Sequence, residues 1–318
     1  MINENTIPVF IQSIDQETPN VKRFSLAPLD QANLPAFSGG SHIMTYIEGN
    51  NGLIVRTYSL TNPAYQTSCY QIAIRLSETS KGGSLYWHQE LKVGDSLKIS
   101  YPKNHFPLSF KAKHHVFYAA GIGITPFLTM MFDLKEKGES FELHYAAKSE
   151  ELCPFYRHLN ENYLEQSHFY FSKSGGKLST ESLLNHPIGT HVYFCGPELF
   201  ISSFSEAAIH IGYPKSSIHI ERFTSVQQKD LTPFQVKLKS GETVTVSKEQ
   251  TMLEALLENG IKAPYSCRAG RCGACELKVL EGEVSHYDKF LTDEQKNSQT
   301  SILTCVSRAK SKKIVIDL

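Results

Sequence analysis

Four cysteines near the C-terminus constrain this chain more than any other feature. Cys267, Cys272 and Cys275 stand in the run YSCRAGRCGACELKV, a C-x4-C-x2-C spacing, and twenty-nine residues separate Cys275 from Cys305. Three thiolates on one tight loop, with a fourth arriving from a distant segment, is the plant-type arrangement for a [2Fe–2S] cluster. Gly270 and Gly273 keep the loop open so that backbone N–H groups can approach the cluster sulfurs. The plainer reading is a structural zinc site or a set of buried free thiols. Zinc ligands, however, usually come as two close pairs, and here the fourth cysteine stands alone. The other three, Cys69, Cys153 and Cys195, are scattered. An odd total of seven, with no secretory signal in MINENTIPVF, argues against a disulfide framework.

A chain of 318 residues has room for two or three cored domains. Its 32 basic and 32 acidic side chains cancel, which gives no support to a nucleic-acid binder or a disordered polyelectrolyte. The longest uncharged run, residues 116–132, falls short of the ~20 apolar residues a spanning helix needs and is broken by Gly121, Gly123 and Pro126. The expectation is a soluble cytoplasmic protein with no membrane and no nucleic-acid partner.

Three rhythms run along the sequence. Over the first hundred residues, short alternating stretches (PVFIQSI, VKRFSLAP, HIMTYIEG, LIVRTYSL, YQIAIRLS, DSLKISYP) are separated by turn signals, which predicts an antiparallel β-barrel or sandwich. From about Lys113, apolar strands (HHVFYAA, FELHYAAKS, HFYFSKSGG, THVYFCGP) alternate with the helices FLTMMFDLKEKG and ELFISSFSEAAIHIG, the pattern of an α/β parallel-sheet domain. After the polar stretch TSVQQKDLTP come a hairpin (FQVKLKSGETVTVSK), a helix (TMLEALLENG), the cysteine loop and a closing strand (KKIVIDL). The expected domains are residues 1–108, 109–228 and 229–318.

Two weaker motifs sit in the first two domains. Gly121, Gly123, Thr125 and Pro126 form GIGITP between a strand and a helix; Pro126 stands where a dinucleotide fingerprint would have its third Gly, but it suits a first helical turn. Cys195, Gly196 and Pro197 close a later strand, where ligands of open α/β sheets collect. In the barrel, Arg56 can clamp a phosphate, Tyr58 can stack on a flat ring, and Ser59 can hydrogen-bond a ring nitrogen; Gly82, Gly83 and Ser84 resemble a helix start opened for an anion. Taken singly, each is routine strand or cap chemistry. The thirteen histidines are dispersed, with neither HExxH nor a nucleophile elbow such as GxSxG, and most read as surface or core residues, while Trp87 reads as packing.

RTYS, GGS, AGIGITP, CGP and the cysteine loop occur in this order across essentially the whole chain, which resembles the phthalate dioxygenase reductase family. That resemblance implies an FMN-binding β-barrel, an NAD-binding α/β domain and a fused β-grasp plant-type ferredoxin. It implies electron supply from NADH to a Rieske-type oxygenase subunit. Carried over, Arg56, Thr57, Tyr58 and Ser59 hold FMN, Ile74 and Arg75 flank it, and Gly82, Gly83 and Ser84 cradle its phosphate. Gly121, Gly123, Thr125, Pro126, Cys195, Gly196 and Pro197 receive the nicotinamide nucleotide, while Glu221 and Phe223 close the flavin site. The reacting atoms are expected near Ser59, Thr125, Cys195, Glu221 and Phe223. Ser172 and Lys173 fall at the adenosine ribose. They lack the acidic side chain that selects NADH, so NADPH stays open beside it. Arg268 and Arg271 either support the cluster loop and balance its charge or meet an acidic patch on the oxygenase. Rival readings are a stand-alone NAD(P)H flavin reductase with a structural metal-binding C-terminal domain, and a non-enzymatic metal-binding module.

Overall fold

A computed structural model describes residues 6–30, 32–49, 52–77, 83–223, 231–248, 250–266, 268, 270, 272–288 and 290–318. Gly82, Cys267, Arg271 and the expected boundary at residue 228 lie outside them. The chain divides between Glu221 and Arg222 into two units.

The first unit opens with β1 (Thr6–Thr18), β2 (Val21–Pro28), β3 (His42–Gly49), β4 (Gly52–Ser59), β5 (Tyr70–Arg75) and β6 (Ser96–Ser100), an antiparallel sheet ordered β4-β3-β6-β1-β2-β5. Its two outer strands meet at a single bridge, Leu60↔Ile72, which closes it into a barrel. Alternate residues fill the interior: Val9 and Ile11, Phe24 and Leu26, Ile72 and Ile74, Leu97 and Ile99 are all buried, the period of two that a one-sided strand requires. Helix α1 (Gly83–Gln89) drives the fully buried Trp87 edge-on against Phe24 and Tyr58.

His42 on β3 has a chemical consequence. Burial of the ring, helped by His105 and Lys103, holds its pKa down at about 3. The unfolded ring takes a proton near pH 6.5 whereas the native ring does not. Each pH unit below ~6.5 therefore costs the fold up to about 1.4 kcal/mol from this residue, until the native ring protonates too. His42→Phe is expected to flatten the acid limb of the stability curve and move acid unfolding to lower pH. Unchanged acid unfolding by circular dichroism would refute this.

The same unit continues with β7 (His114–Ala120), α2 (Thr125–Lys137), β8 (Phe141–Ala147), α3 (Tyr156–Asn162), β9 (Ser167–Phe171), β10 (Thr190–Cys195), α4 (Glu198–Ile211) and β11 (Ile218–Glu221). Five parallel strands are ordered β11-β10-β7-β8-β9. The chain steps outward from β7 to β9, then returns to lay β10 on the other side of β7. That reversal makes a topological switch point between the C-terminal ends of β7 and β10. Left-handed glycines stop both long helices, Gly138 after α2 and Gly212 after α4. Barrel and sheet share one core, in which Val21 and Ala73 pack with Phe106, Ile124 and Phe127. The seam is also hydrogen-bonded: Gly39 N–H donates to Asp133 Oδ2 (2.7 Å) and Gly40 N–H to Thr129 Oγ1 (2.9 Å).

The second unit holds β12 (Phe234–Leu238), β13 (Thr243–Val246), α5 (Met252–Glu258), β14 (Glu276–Glu281), β15 (Val284–Ser285), α6 (Asp293–Ser298), β16 (Ser301–Leu303), β17 (Arg308–Ala309) and β18 (Lys313–Ile316). Its main sheet runs β13-β12-β18-β14-β16 with β12 and β18 parallel at the centre, a β-grasp arrangement. Met252, Leu253 and Leu256 of α5 pack on the sheet, and Thr251 with Glu254 forms a capping box at its start.

Candidate functional site

β4 is an outer strand, laddered on one side to β3 with Thr45↔Arg56, Met44↔Thr57, Ile43↔Tyr58 and His42↔Ser59 in register. A Cβ on Gly83 would lie 2.6 Å from Arg56 Nε, so the glycine lets the α1 backbone settle beside the guanidinium without displacing that side chain. Arg56 Nη1–H donates to the Val55 carbonyl at 2.8 Å, and among the described residues no carboxylate lies within ion-pair distance of Arg56. Such a cation is suited to a phosphate. Ser84 Oγ accepts from Ser77 N–H (3.1 Å). Burial pushes the Tyr58 phenol far above its usual pKa, against the opposing pull of Arg56, so the ring stays neutral. Ile74 differs from its neighbours. Its side chain is 1% exposed in the barrel core, and its carbonyl accepts from His88 Nε2 at 2.8 Å. Arg75 is exposed at the end of β5.

The switch point is built by close backbone approach. A Cβ on Gly123 would fall 2.2 Å from the Cys195 carbonyl oxygen, and one on Gly196 would fall 2.9 Å from Ala120 Cβ. Gly121 takes φ 55°, and its carbonyl accepts from the Tyr145 hydroxyl at 2.8 Å. Tyr145 is fully buried, which raises its pKa well above the ordinary value and keeps the donor protonated. Thr125 is buried as well, and its hydroxyl donates to Ile122 O at 3.1 Å, locking the turn that leads into α2. Pro126 stands in the first turn of α2, and Pro197 precedes α4. Cys195 pairs with Glu221 across β10 and β11 and is fully buried. Ala73 of β5 shares one core with Ile124, Ala119 and Cys195, so the switch point packs against the barrel strand that carries Ile74. Ser172 and Lys173 follow β9 at the same end of the sheet and are exposed, with Lys173 N–H bonded to Lys148 O. Phe223 lies past the division between the units and is 44% exposed.

In the second unit, the antiparallel register Glu276↔Leu303 between β14 and β16 carries Cys275 to Cys305. Their sulfurs are 3.1 Å apart, too far for a disulfide, and both side chains are buried. Hydrogen bonding with Cys305 draws the Cys275 thiol below its ordinary pKa, against the effect of burial. Cys272 is half-buried. The loop suits a bulky anionic group in its backbone. Arg268, Gly270 and Gly273 all take positive φ, and a Cβ on Gly270 would press Val306 (2.6 Å) and on Gly273 the Phe290 ring (2.3 Å). Such left-handed turns aim backbone N–H groups into a concavity. The Arg268 guanidinium lies over the Tyr265 ring at 4.6 Å, which favours loop support over docking for this residue.

Two family profiles match the chain: the oxidoreductase FAD-binding domain over residues 8–107 and the 2Fe-2S iron-sulfur cluster binding domain over residues 236–310. The chain is 40% identical over 314 residues to the carnitine monooxygenase reductase subunit of Escherichia coli K12, covering 98% of each. It is 38% identical to the vanillate O-demethylase oxidoreductase of Acinetobacter baylyi, covering 100% of each. The crystal structure of phthalate dioxygenase reductase superimposes with a TM-score of 0.83 at 30% identity, covering 99% of this chain and 98% of that one. The chain belongs to the phthalate dioxygenase reductase family. It is an oxidoreductase of this family, with a flavin-binding antiparallel barrel, a parallel-sheet nucleotide-binding domain and a [2Fe–2S] ferredoxin domain. Among the described residues no helix is long and apolar enough to cross a membrane.

Two features of this family member escape sequence reading. Tyr145, which fixes the Gly121 turn, is one aromatic in an apolar strand and carries no local signal. The histidines, read as dispersed, are not: four of them converge on Glu142.

Proposed function

We propose that this chain is the NADH-oxidising, FMN-containing reductase component of a Rieske-type oxygenase, and that its partner is a carnitine monooxygenase. Residues 1–108 form the flavin domain, 109–228 the nucleotide domain and 229–318 the ferredoxin domain. The observation that supports the reading is the switch point packed against β5: a nucleotide seated over Gly121, Gly123 and Gly196 then lies beside the barrel strand next to the flavin. FMN, if bound, would supply the change from two-electron hydride chemistry to single electrons, and a [2Fe–2S] cluster held by Cys267, Cys272, Cys275 and Cys305 would supply one-electron storage.

The chain's own residues bind and orient. Arg56 and the backbone at Gly83 and Ser84 hold the phosphate, Tyr58 packs the ring, and Ser59 offers a hydroxyl to it. Gly123 lets the nicotinamide turn close onto Cys195, and Thr125 with Tyr145 holds that turn rigid. Cys267, Cys272, Cys275 and Cys305 ligate the cluster. No general base is needed, because a hydride carries its own electron pair. The absence of an acidic residue at Ser172 and Lys173 leaves room for a 2′-phosphate, so kcat/KM with NADH and NADPH measures this selection directly.

Arg56→Ala tests the flavin clamp. Hydrogen bonds to a charged group contribute about 1.5–3 kcal/mol each, so FMN affinity is expected to fall at least ~10-fold. Full flavin retention through gel filtration and dilution would remove Arg56 from the site. The same preparations identify the flavin, since acid-released cofactor runs as FMN or as FAD on chromatography.

The partner is supported by three carnitine monooxygenase reductase subunits at 39–40% identity. NADH consumption with purified carnitine oxygenase is expected to become carnitine-dependent when this chain is added. Turnover with a vanillate or phthalate oxygenase and none with the carnitine enzyme would reassign the partner within the family.

A further inference from the structure

The end of the parallel sheet opposite the switch point holds a cluster that the proposed electron transfer does not use. His114 opens β7, Glu142 and His144 lie two residues apart on β8 and so share one face, His168 pairs with His144 across β9, and His186 lies just before β10. All four rings turn one nitrogen toward the Glu142 carboxylate. His144 Nε2 and His168 Nε2 are 3.0 and 2.8 Å from Oε1, while His186 Nδ1 and His114 Nε2 are 3.5 and 3.8 Å from Oε2. The ligand atoms of His114, Glu142 and His186 lie within 4.8 Å of one another.

Three of these rings are also held from behind. Tyr118 OH sits 2.8 Å from His186 Nε2, Tyr170 OH 2.9 Å from His144 Nδ1, and Ser140 Oγ 2.7 Å from His114 Nδ1. The Tyr118 ring stacks on His144 at 4.7 Å with an interplanar angle of 7°. Hydroxyls can accept as well as donate, so each back-side contact permits the tautomer that frees the inward nitrogen's lone pair. This is the outer support that metal-ligating histidines ordinarily have. His144 is only 5% exposed, so its Nε2 meets Glu142 Oε1 at 3.0 Å inside the protein.

We propose that this cluster is a divalent transition-metal site, with His114, Glu142 and His186 as ligands and His144 or His168 completing the shell. Imidazole nitrogens with one carboxylate suit zinc and its neighbours in the first transition row, and do not suit calcium or magnesium. Metal–nitrogen bonds of ~2.0–2.1 Å require the ligand atoms to draw in by roughly an ångström, within the reach of side-chain rotation. A bound ion would clamp the N-terminal ends of β7, β8 and β9 and the segment before β10. The site is therefore structural, and it stands apart from the nucleotide end of the sheet.

The test uses the flavin- and cluster-loaded protein, dialysed against zinc sulfate with a weak competing chelator. Expected are one zinc per chain beyond the cluster iron, unchanged iron content, a higher melting temperature, and an X-ray absorption shell of nitrogen and oxygen with imidazole scattering. His114→Asn combined with His186→Asn should weaken zinc binding by at least ~100-fold while flavin content and ferricyanide reduction persist. His168→Asn, at a half-exposed ring, gives a variant under little folding strain and should weaken binding less. No zinc uptake by the wild type, equal uptake by the double variant, or a sulfur-dominated shell would each overturn the site.

Discussion

Cys305→Ser is expected to abolish the iron–sulfur absorption envelope and to collapse cytochrome c reduction, while NADH oxidation by ferricyanide largely survives. Cys305 reaches the cluster loop only through the β14 and β16 register, and its sulfur stands 3.1 Å from that of Cys275. A serine hydroxyl at that buried position would not deprotonate as a thiol does, and cluster affinity depends on thiolates. Cys275→Ser should behave alike. Ferricyanide takes electrons from the flavin, upstream of the cluster, so its reduction tests the first unit alone. If both activities fell together in a folded, flavin-loaded variant, the order nucleotide, flavin, cluster would be wrong.

Gly123→Ala carries the other large effect. The added methyl would sit 2.2 Å from the Cys195 carbonyl oxygen, 2.5 Å from its carbon and 2.8 Å from the Gly196 nitrogen. All three are backbone atoms, so no side chain can swing away and the turn must move off β10. Overpacking of this kind costs about 1–3 kcal/mol in stability. Displacing a hydride donor by about an ångström costs ~100-fold in rate. NADH-driven flavin reduction should therefore fall about 100-fold, while dithionite reduces flavin and cluster as in the wild type. Near-normal NADH kinetics would mean that the nucleotide does not use this turn.

Much of this arrangement was legible because each rhythm has a physical cause. Barrel strands bury alternate residues, and each of the six stretches read from the first hundred residues falls on one of β1 to β6. β7 and β10 are covered on both faces, and HHVFYAA and THVYFC are accordingly almost wholly apolar. Helix α3 was not legible. It is one short polar turn sequence, YRHLNEN, entered through Phe155 at φ 62°, and it carries no apolar stripe. Helix α6 did carry a signal, the Thr292 and Gln295 capping box, beside no hydrophobic period to draw attention to it. The four-cysteine pattern is legible in the sequence because three of the cysteines share one loop. The Glu142 cluster could not, since its five side chains come from four separate segments that only the parallel register brings together. Thr125 is expected at the nucleotide, and Arg268 either supports the cluster loop or meets a partner; the sequence does not show what either side chain touches. The one spends its hydroxyl on Ile122 and the other rests on Tyr265, contacts that require the folded turn.

The central claim is that electrons pass from a reduced nicotinamide nucleotide through the flavin to the [2Fe–2S] cluster of the same chain. Anaerobic rapid mixing with NADH tests it most directly, with flavin absorbance and the low-temperature paramagnetic signal of the reduced cluster followed in time. Flavin bleaching should come first, the one-electron cluster signal should follow it, and protein stripped of flavin should show neither. A cluster reduced by NADH in flavin-free protein, or a cluster signal that precedes flavin bleaching, would contradict the account.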